Sequence, residues 1–272
     1  MNDRRCEGSE RDAGVRDRYR PAEFDAERYS GENLSYWTPI MVRLGRIGQD
    51  DYVLDLGCAT GGLSCAIAEA TGAQLVGCDI SSTLLEYARR NRGGPSTQWV
   101  CADAARLPFT HLSFDRVIAS LVMHQVRDRE GVLGELGRVL RPDGVLLVRT
   151  VTREAARRWI PNRFFPSVAR AQAARMPPIR ELTELLVRAG FSEVATETVV
   201  HRKQLELDEV ERAFGRDVAD RYPFLDEDEF DQGITRMRAH WAARHGDWVD
   251  ARRFCFVIGA KPEARMRGAD LA

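Results

Sequence analysis

The 272-residue chain lacks a surplus of either charge, a long apolar run and any C-x-x-C pair. Forty basic residues stand against 41 acidic ones, and the formal net charge is −1, so no strong field would draw the protein to nucleic acid or to an anionic membrane. No apolar stretch approaches the roughly 18 residues that a membrane span needs, and residues 1–7 lead into no apolar signal-peptide core. The sequence therefore predicts a globular protein that has neither nucleic-acid nor membrane partners.

The six cysteines are too scattered to indicate a metal site or a disulfide framework. Four of them fall in or beside predicted core elements: Cys58, Cys65, Cys78 and Cys101. Small buried thiols of this kind are typical of a reducing compartment. We therefore expect reduced cysteines, no metal and a cytoplasmic location.

Strand-like and helix-like segments alternate along the chain, which predicts an α/β fold with a mostly parallel, seven-stranded sheet and helices on both of its faces. The predicted strands are Tyr52–Leu56, Gln74–Cys78, Gln98–Cys101, Phe114–Ala119, Val145–Thr150, Phe191–His201 and Arg253–Ala260. The predicted helices are Gly62–Ala70, Ser82–Arg92, Arg129–Leu140 and Ile179–Ala189. Arg141-Pro142-Asp143-Gly144 should stop a helix and turn into a strand.

The last two predicted strands are about 50 residues apart, whereas a hairpin needs only a few, so the chain carries insertions. We predict a disordered lead at 1–18, a single domain at 19–261 and a short tail at 262–272. Within the domain, three segments are predicted to form a helical cap: 19–48, 153–178 and 205–250.

A glycine-rich turn carries the strongest functional signal. Asp55 ends a predicted strand, and Gly57 and Gly61 follow two and six positions later, before a predicted helix. Glycines there can take positive φ and let a ligand approach the backbone. A dinucleotide-binding turn would read G-x-G-x-x-G, which this spacing does not match. The turn resembles motif I of the class I S-adenosylmethionine-dependent methyltransferases, (D/E)-x-G-x-G/A-x-G, and Asp55 with these glycines suits the ammonium of that cofactor.

Two further acids follow strands in the order that the same family shows. Asp79 ends the second predicted strand, 22 residues after Gly57, where a carboxylate can accept both hydroxyls of a ribose. The alternative is that Asp79 or Ser81 only caps the next helix. Asp103 opens the segment Asp-Ala-Ala-Arg-Leu-Pro-Phe, which resembles the family's D-A-x-x-L-P-F and implies contact with the adenine through the acid and the following amide.

The resemblance covers about residues 50–150. It includes an F-D-x-V strand at Phe114 and an L-R-P-G-G-like turn in which Asp143 replaces the first glycine. It implies a Rossmann-like, doubly wound sheet and S-adenosylmethionine as cofactor, with S-adenosylhomocysteine as product. The cofactor-binding residues that it implies are Asp55, Gly57, Cys58, Ala59, Gly61, Asp79, Ile80, Asp103, Ala104 and Ser120.

Residues 19–29 resemble the leader helix of the branch of this family that methylates small molecules, such as quinones and secondary metabolites. In that branch the leader folds over the cofactor. Tyr29 could contribute to this cover, or it could be an ordinary core residue.

His124 is the candidate catalytic residue. It lies just past the fourth predicted strand, at the sheet edge where ligands bind in such folds, and a pKa near 6.5 suits a general base. Alternatively, the histidine only shapes the pocket for the methionine part of the cofactor. His240 and His245, with Trp241 and Trp248, are a weaker alternative in the second insertion.

The second insertion also carries the acidic run Asp226-Glu227-Asp228-Glu229. The run could attract a cationic amine, but a capped helix start explains it as well. The aromatic residues of both insertions could form a substrate cage, although core packing is the favoured interpretation.

Together these features predict an enzyme that moves a methyl group from S-adenosylmethionine to an O, N or C nucleophile of a small molecule, with a secondary metabolite as the favoured class. The alternative is a catalytically silent protein on the same fold that binds the cofactor or a partner. The neutral charge and the lack of an (N/D)-P-P-(Y/F/W) motif after the fourth strand disfavour nucleic-acid methylation. The glycine spacing disfavours a nicotinamide oxidoreductase.

Overall fold

The protein is a seven-stranded α/β structure in a computed structural model that describes residues 20–208, 211, 222, 224–243 and 248–263. The predicted lead at 1–18, most of the tail, Tyr19 and His245 lie outside these residues. The strands are β1 (Tyr52–Leu56), β2 (Gln74–Asp79), β3 (Thr97–Cys101), β4 (Phe114–Ser120), β5 (Leu140–Val151), β6 (Glu193–Gln204) and β7 (Val249–Ala260).

Nine α-helices and one 3₁₀ helix are described along the same residues. The helices are α1 (Pro21–Arg28), α2 (Gly31–Gly45), α3 (Gly62–Thr71), α4 (Ser82–Asn91), α5 (Arg129–Val139), α6 (Arg153–Arg158), α7 (Pro166–Arg175), α8 (Ile179–Arg188) and α9 (Glu227–Ala243), with the 3₁₀ helix at Pro161–Arg163.

The strand order is β3-β2-β1-β4-β5-β7-β6, and the pairs β1–β2, β2–β3, β1–β4 and β4–β5 are parallel. The chain runs outward from β1 to β3 and then returns to the other side of β1 at β4. This reversal makes a crevice at the carboxyl ends of β1 and β4, the usual ligand position in such sheets. The predicted doubly wound α/β fold is confirmed.

Burial explains why β1 is easy to recognise in the sequence. Its residues Val53, Leu54 and Leu56 are at most 2% exposed, because helices cover both faces of the parallel sheet. The helix that follows is amphipathic and buries Leu63 and Ile67. The predicted β1 boundaries match the structure, and those of α3 differ by one residue.

The predicted helix stop before 141–144 is confirmed, because α5 ends at Val139, but the separate turn is wrong, because this segment belongs to β5. Leu140 pairs with Phe114 and Val145 pairs with Arg116, so several residues of β5 oppose a single residue of β4. The turn-forming sequence is accommodated as a bulge, which bends a strand without ending it. The strand therefore starts five residues earlier than Val145.

The described residues divide into two compact units. Unit 1 consists of residues 20–149, 182–196 and 257–263, and it holds β1 to β4, most of β5 and helices α1 to α5. Unit 2 consists of residues 150–181 and 197–256. The leader segment 20–48 therefore belongs to unit 1, whereas the two insertions belong mainly to unit 2.

Unit 2 has an aromatic core of its own. Trp248 is 1% exposed, and its ring centroid lies 5.8 Å from that of Phe164 and 5.1 Å from that of Trp241. Phe165 stacks on Phe230 at 6.3 Å. These contacts join the two insertions, so the described aromatic residues act as a hydrophobic core, as the packing interpretation predicts.

Two residues of the acidic run have structural partners within unit 2. The Oδ1 atom of Asp226 accepts a hydrogen bond of 2.6 Å from the backbone N–H of Glu229, which caps the start of α9. The carboxylate of Glu229 accepts a 2.8 Å bond from the N–H of Ser167 at the start of α7. The geometry supports the helix-cap explanation of this run.

Four cysteines are free thiols: Cys58, Cys65, Cys78 and Cys255. Cys101 is disulfide-bonded, so the expectation of a reduced thiol is wrong at this position. Cysteines that lie far apart in a sequence can still approach closely in a fold, and no C-x-x-C spacing is needed for that. Over the described residues, no helix is long and apolar enough to cross a bilayer, and no group of metal-ligating side chains occurs.

Candidate active site

The glycine turn between β1 and α3 curls back onto the end of β2. Gly57, Ala59 and Gly61 have φ values of 72°, 51° and 78°. The N–H of Gly57 donates to the carbonyl of Cys78 at 2.7 Å. A Cβ at Gly57 would lie 2.7 Å from Cγ2 of Val122, so both the conformation and the available space require glycine there.

Trp99 of β3 fills the space beneath this turn. A Cβ at Gly61 would meet the indole ring, and a Cβ at Gly77 would lie 2.5 Å from its Cε3 atom. The same Cβ at Gly77 would lie 2.8 Å from the sulfur of Cys58. The turn therefore rests on a rigid aromatic platform, which the sequence motifs did not indicate.

Asp55 lies at the carboxyl end of β1 and is only 2% exposed. Its Oδ2 atom accepts a 2.5 Å hydrogen bond from the hydroxyl of Ser64 in the first turn of α3. Burial raises the pKa of Asp55 to about 7, the nearby charge of Asp79 contributes to this rise, and the bond from Ser64 opposes it. The site thus contains a carboxyl group that titrates near neutral pH.

Asp79 joins the end of β2 to the glycine turn. Its two oxygens accept 2.9 Å bonds from the N–H groups of Ala59 and Ser81. Burial raises the pKa of Asp79, and these backbone bonds lower it. The hydroxyl of Ser81, not Asp79, accepts from Leu84 and caps α4. Each carboxylate oxygen keeps a further lone pair, so Asp79 can still accept bonds from ligand hydroxyls.

Asp103 follows β3 at the same edge of the sheet, since Asp79 pairs with Cys101 in the β2–β3 register. It is exposed, and its Oδ1 atom accepts a 2.9 Å bond from the N–H of Ala105. The side chain therefore shapes its own loop and leaves the other oxygen at the surface. Ile80 and Ala104 are half-buried beside these acids.

The loop after Asp103 is held from behind by an ion pair on α5. Arg138 donates to the carbonyls of Leu107 at 3.1 Å and Phe109 at 2.7 Å, and Glu135 accepts from the N–H of Leu107 at 3.0 Å. The bond from Arg138 lowers the pKa of Glu135. Sequence reasoning missed this pair, although its i, i+3 spacing on a helix is a usable signal.

The chain turns sharply after β4, shortly before the candidate base His124. Ser120 is the last residue of β4, and Leu121 takes a φ of +56° while its N–H donates to the carbonyl of Arg149 at 2.9 Å. His124 lies in the turn that follows and is half-buried. The structure thus places His124 in unit 1, four residues beyond the last residue of a strand next to β1.

The alternative base, His240, lies in unit 2 among aromatic side chains. Its ring centroid is 5.5 Å from that of Phe164 and 5.5 Å from that of Trp248. This arrangement makes it a packing residue of the unit 2 core. His245 lies outside the described residues.

Arg149 is a buried cation at the end of β5 that sequence reasoning did not single out. Its guanidinium carbon lies 3.5 Å from the ring centroid of Trp37, a cation–π contact, and the residue is 7% exposed. It pairs with Ser120 in the β4–β5 register. An arginine within the apolar run Leu-Leu-Val-Arg-Thr-Val is the signal that could have identified it.

The leader helix α1 is attached to the glycine turn by polar contacts. The carboxylate of Asp25 accepts bonds of 2.9 and 2.7 Å from Arg92 and one of 2.7 Å from the hydroxyl of Thr60. The Tyr29 hydroxyl donates to the carbonyl of Cys58 at 3.4 Å. Burial raises the pKa of Tyr29 well above its usual range.

The predicted cofactor residues fall into two groups. Six of them are joined by direct contacts or by sequence around the glycine turn: Asp55, Gly57, Cys58, Ala59, Gly61 and Asp79. Four lie at the ends of β2, β3 and β4 on the same edge of the sheet: Ile80, Asp103, Ala104 and Ser120. A buried carboxyl, a glycine turn and two further acids match what S-adenosylmethionine presents: an ammonium, a ribose diol and an adenine.

Comparisons with known proteins agree with this arrangement. A family model described as a methyltransferase domain matches residues 54–148, which include the glycine turn and the three acids. The methyltransferase GfsG of Streptomyces halstedii is 27% identical over 88% of this chain and 82% of its own length. The demethylmenaquinone methyltransferase of Streptomyces avermitilis is 32% identical over 53% of this chain and 69% of its own length.

A solved structure from Anabaena variabilis, described as a methyltransferase from an antibiotic biosynthesis pathway, shares the fold. Its TM-score is 0.67 at 21% identity, and the match covers 82% of this chain and 96% of that one. The match to the Streptomyces avermitilis enzyme exceeds 30% identity and covers more than two thirds of that enzyme. The chain belongs to the class I S-adenosylmethionine-dependent methyltransferases.

Proposed function

We propose that Asp55, the glycine turn, Asp79 and the loop after β3 bind S-adenosylmethionine in that order along the crevice. Asp55 receives the ammonium, because it is a buried carboxyl group beside the turn backbone. Asp79 receives the ribose hydroxyls on its remaining lone pairs. Asp103 and the amide of Ala104 receive the adenine, and Ser120 closes the end next to β4. The observation that carries this proposal is the contact of Asp79 with Ala59, which ties a strand-end acid to the turn.

The chain's own residues would orient the acceptor and accept its proton. When bound, S-adenosylmethionine supplies a methyl group on a sulfonium and leaves as S-adenosylhomocysteine. His124 stands beyond the end of β4 and accepts the proton of a hydroxyl or ammonium acceptor on a ring nitrogen. Alignment of the nucleophile and exclusion of water are the remaining tasks of the site, and alignment alone contributes several kcal/mol.

The acceptor is a small molecule of secondary metabolism, methylated on O, N or C. The relatives GfsG and demethylmenaquinone methyltransferase support a small organic acceptor. The net charge of −1 gives no support to a nucleic-acid or membrane partner. The four free thiols among the described residues favour a cytoplasmic location, whereas the disulfide at Cys101 does not. Within unit 1, the leader segment 20–48 is the part of the predicted cap whose contacts with the glycine turn support a role in covering the ligand.

Calorimetry tests the cofactor part of the proposal. S-adenosylmethionine and S-adenosylhomocysteine should bind at about micromolar strength, which is typical of small ligands. Clear heat with a nicotinamide dinucleotide and none with S-adenosylmethionine would refute it. Transfer of a labelled methyl group to metabolite extracts, with mass identification of the product, tests turnover, and binding without turnover would identify a silent cofactor-binding protein.

A further inference from the structure

Asp55 is set apart from the other acid of the site by its hydrogen bonds. Asp79 is held by two backbone N–H groups, and such donors stabilise the charged form of a carboxylate. The carboxyl of Asp55 instead meets the hydroxyl of Ser64, which can equally face a protonated acid. Of two neighbouring acids, the one whose charged form accepts fewer hydrogen bonds has the higher pKa and therefore binds the proton first.

We propose that Asp55 is mostly protonated below neutral pH in the ligand-free protein and that binding of S-adenosylmethionine expels this proton, with Ser64 as the residue that sets the pH of the exchange. The proposal rests on the ammonium site proposed above. The O–H bond of the acid breaks, the proton passes to solvent, and the carboxylate pairs with the ligand ammonium. No oxidant or other reactant is needed.

The neighbours of Asp55 do not compete for the exchange near neutral pH. The titratable groups that interact with it are Tyr29 directly after α1, Cys58 of the turn, Cys65 of α3, and Cys78 and Asp79 of β2. Burial raises the pKa of the tyrosine and of all three thiols, so these groups stay neutral. His124, in the segment after β4, is the histidine for which the experiment below needs a control.

The sign of the pH dependence follows from linkage. The carboxyl pKa of about 7 applies to the free protein, and an adjacent ammonium lowers it in the complex. Affinity for S-adenosylmethionine should therefore rise with pH and level off above about 7. Between pH 5.5 and 7.5 the dissociation constant should fall about 25-fold, and at pH 6.5 about three quarters of a proton should be released per ligand bound.

Titration calorimetry at pH 6.5 in buffers of different ionisation enthalpy measures the released proton directly on the wild-type protein. The control ligand is 5′-methylthioadenosine, which has the same nucleoside but no ammonium, and it should release none. In parallel, the infrared band of a protonated carboxylic acid should disappear on addition of S-adenosylmethionine. A His124→Asn variant should release the same amount of proton.

Two variants separate Asp55 from Ser64. Asp55→Asn imitates the protonated acid, so its affinity should be independent of pH and weaker than that of the wild type at pH 5.5, where the wild-type complex still forms the ion pair. Ser64→Ala removes the bond that lowers the pKa and should move the pH profile upward, whereas Ser64→Thr should keep it. Thr71→Ala is the matched control, because it removes a hydroxyl from the other end of the same helix.

The outcomes distinguish the two proposals. If S-adenosylmethionine binds at pH 6.5 without proton release, or if the infrared band persists, the proton exchange is refuted and the cofactor site stands. If S-adenosylmethionine does not bind at any pH, both proposals fail. If Asp55→Asn does not fold, the calorimetry and infrared measurements on the wild type still decide the question.

Discussion

Replacement of Asp79 by alanine should weaken S-adenosylmethionine binding far more than it weakens the fold. The variant removes a charged acceptor of two ribose hydroxyls, and charge-assisted bonds of this kind contribute about 2–4 kcal/mol together. The dissociation constant should therefore rise about 30- to 900-fold. Isothermal calorimetry on purified variant and wild type would measure this change.

The fold is also affected, since Asp79 accepts from the N–H groups of Ala59 and Ser81. Loss of both bonds costs stability, but removal of a half-buried carboxylate whose pKa is raised returns part of it, so the net loss of stability should be about 1 kcal/mol. Thermal unfolding without ligand should then show a decrease in Tm of about 2–4 °C.

Asp115 provides a matched control at the opposite end of the sheet. It accepts a 2.9 Å bond from the N–H of Tyr52 and a bidentate pair from Arg141, so Asp115→Ala should cost similar stability. Its affinity for S-adenosylmethionine should stay unchanged. An unchanged dissociation constant in Asp79→Ala, or an equal loss of affinity in both variants, would remove Asp79 from the ribose role.

Three further results are expected. His124→Asn should lower turnover of the acceptor by about 10²–10⁴-fold and remove the limb of the pH–rate profile that the imidazole contributes, with little change in cofactor affinity; a profile that keeps this limb would assign the base elsewhere. Asp25→Ala should release α1 from Arg92, seen as faster hydrogen exchange in α1 and faster dissociation of S-adenosylmethionine; unchanged rates would show that the contact is incidental. Amides of the leader helix α1 should gain protection when S-adenosylmethionine binds, while those of β1 barely change, and equal protection in both would count against a leader that covers the cofactor.

The central sheet and the order of the acids could be predicted because both depend on patterns within short stretches of sequence. A parallel strand buried on two faces leaves an uninterrupted apolar run, as at β1, and the acids Asp55 and Asp79 sit where such runs stop. The bulge at 141–144 could not be predicted, because the same residues favour a free turn until pairing with β4 holds them in the sheet.

The other features that could not be predicted depend on contacts between residues that lie far apart in the sequence. Asp25 and Arg92 are 67 positions apart, and although Asp25 lies in the recognised leader segment, Arg92 belongs to no recognised motif. Ser64 reads as an ordinary residue of an amphipathic helix, and only the fold shows that it faces Asp55. In the same way, the cap made by Asp226 becomes distinguishable from a charged lid only when its bond to the N–H of Glu229 is seen.

The side chain of Trp99, which lies beneath the glycine turn, restricts which substitutions the neighbouring glycines can accept. Trp99 occupies the space in which a side chain at Gly61 or Gly77 would have to lie, so these three positions are coupled although they belong to different elements. Gly61 also has a φ of 78°, which a larger residue would strain, whereas Gly77 lies within the regular strand β2. Smaller residues at both position 99 and position 58 should therefore open a route to alanine at 77 but not at 61, because a Cβ at 77 would also lie 2.8 Å from the sulfur of Cys58. Descendants of this sequence should lose the tryptophan before they lose the strand glycine, and should keep the turn glycine in either case.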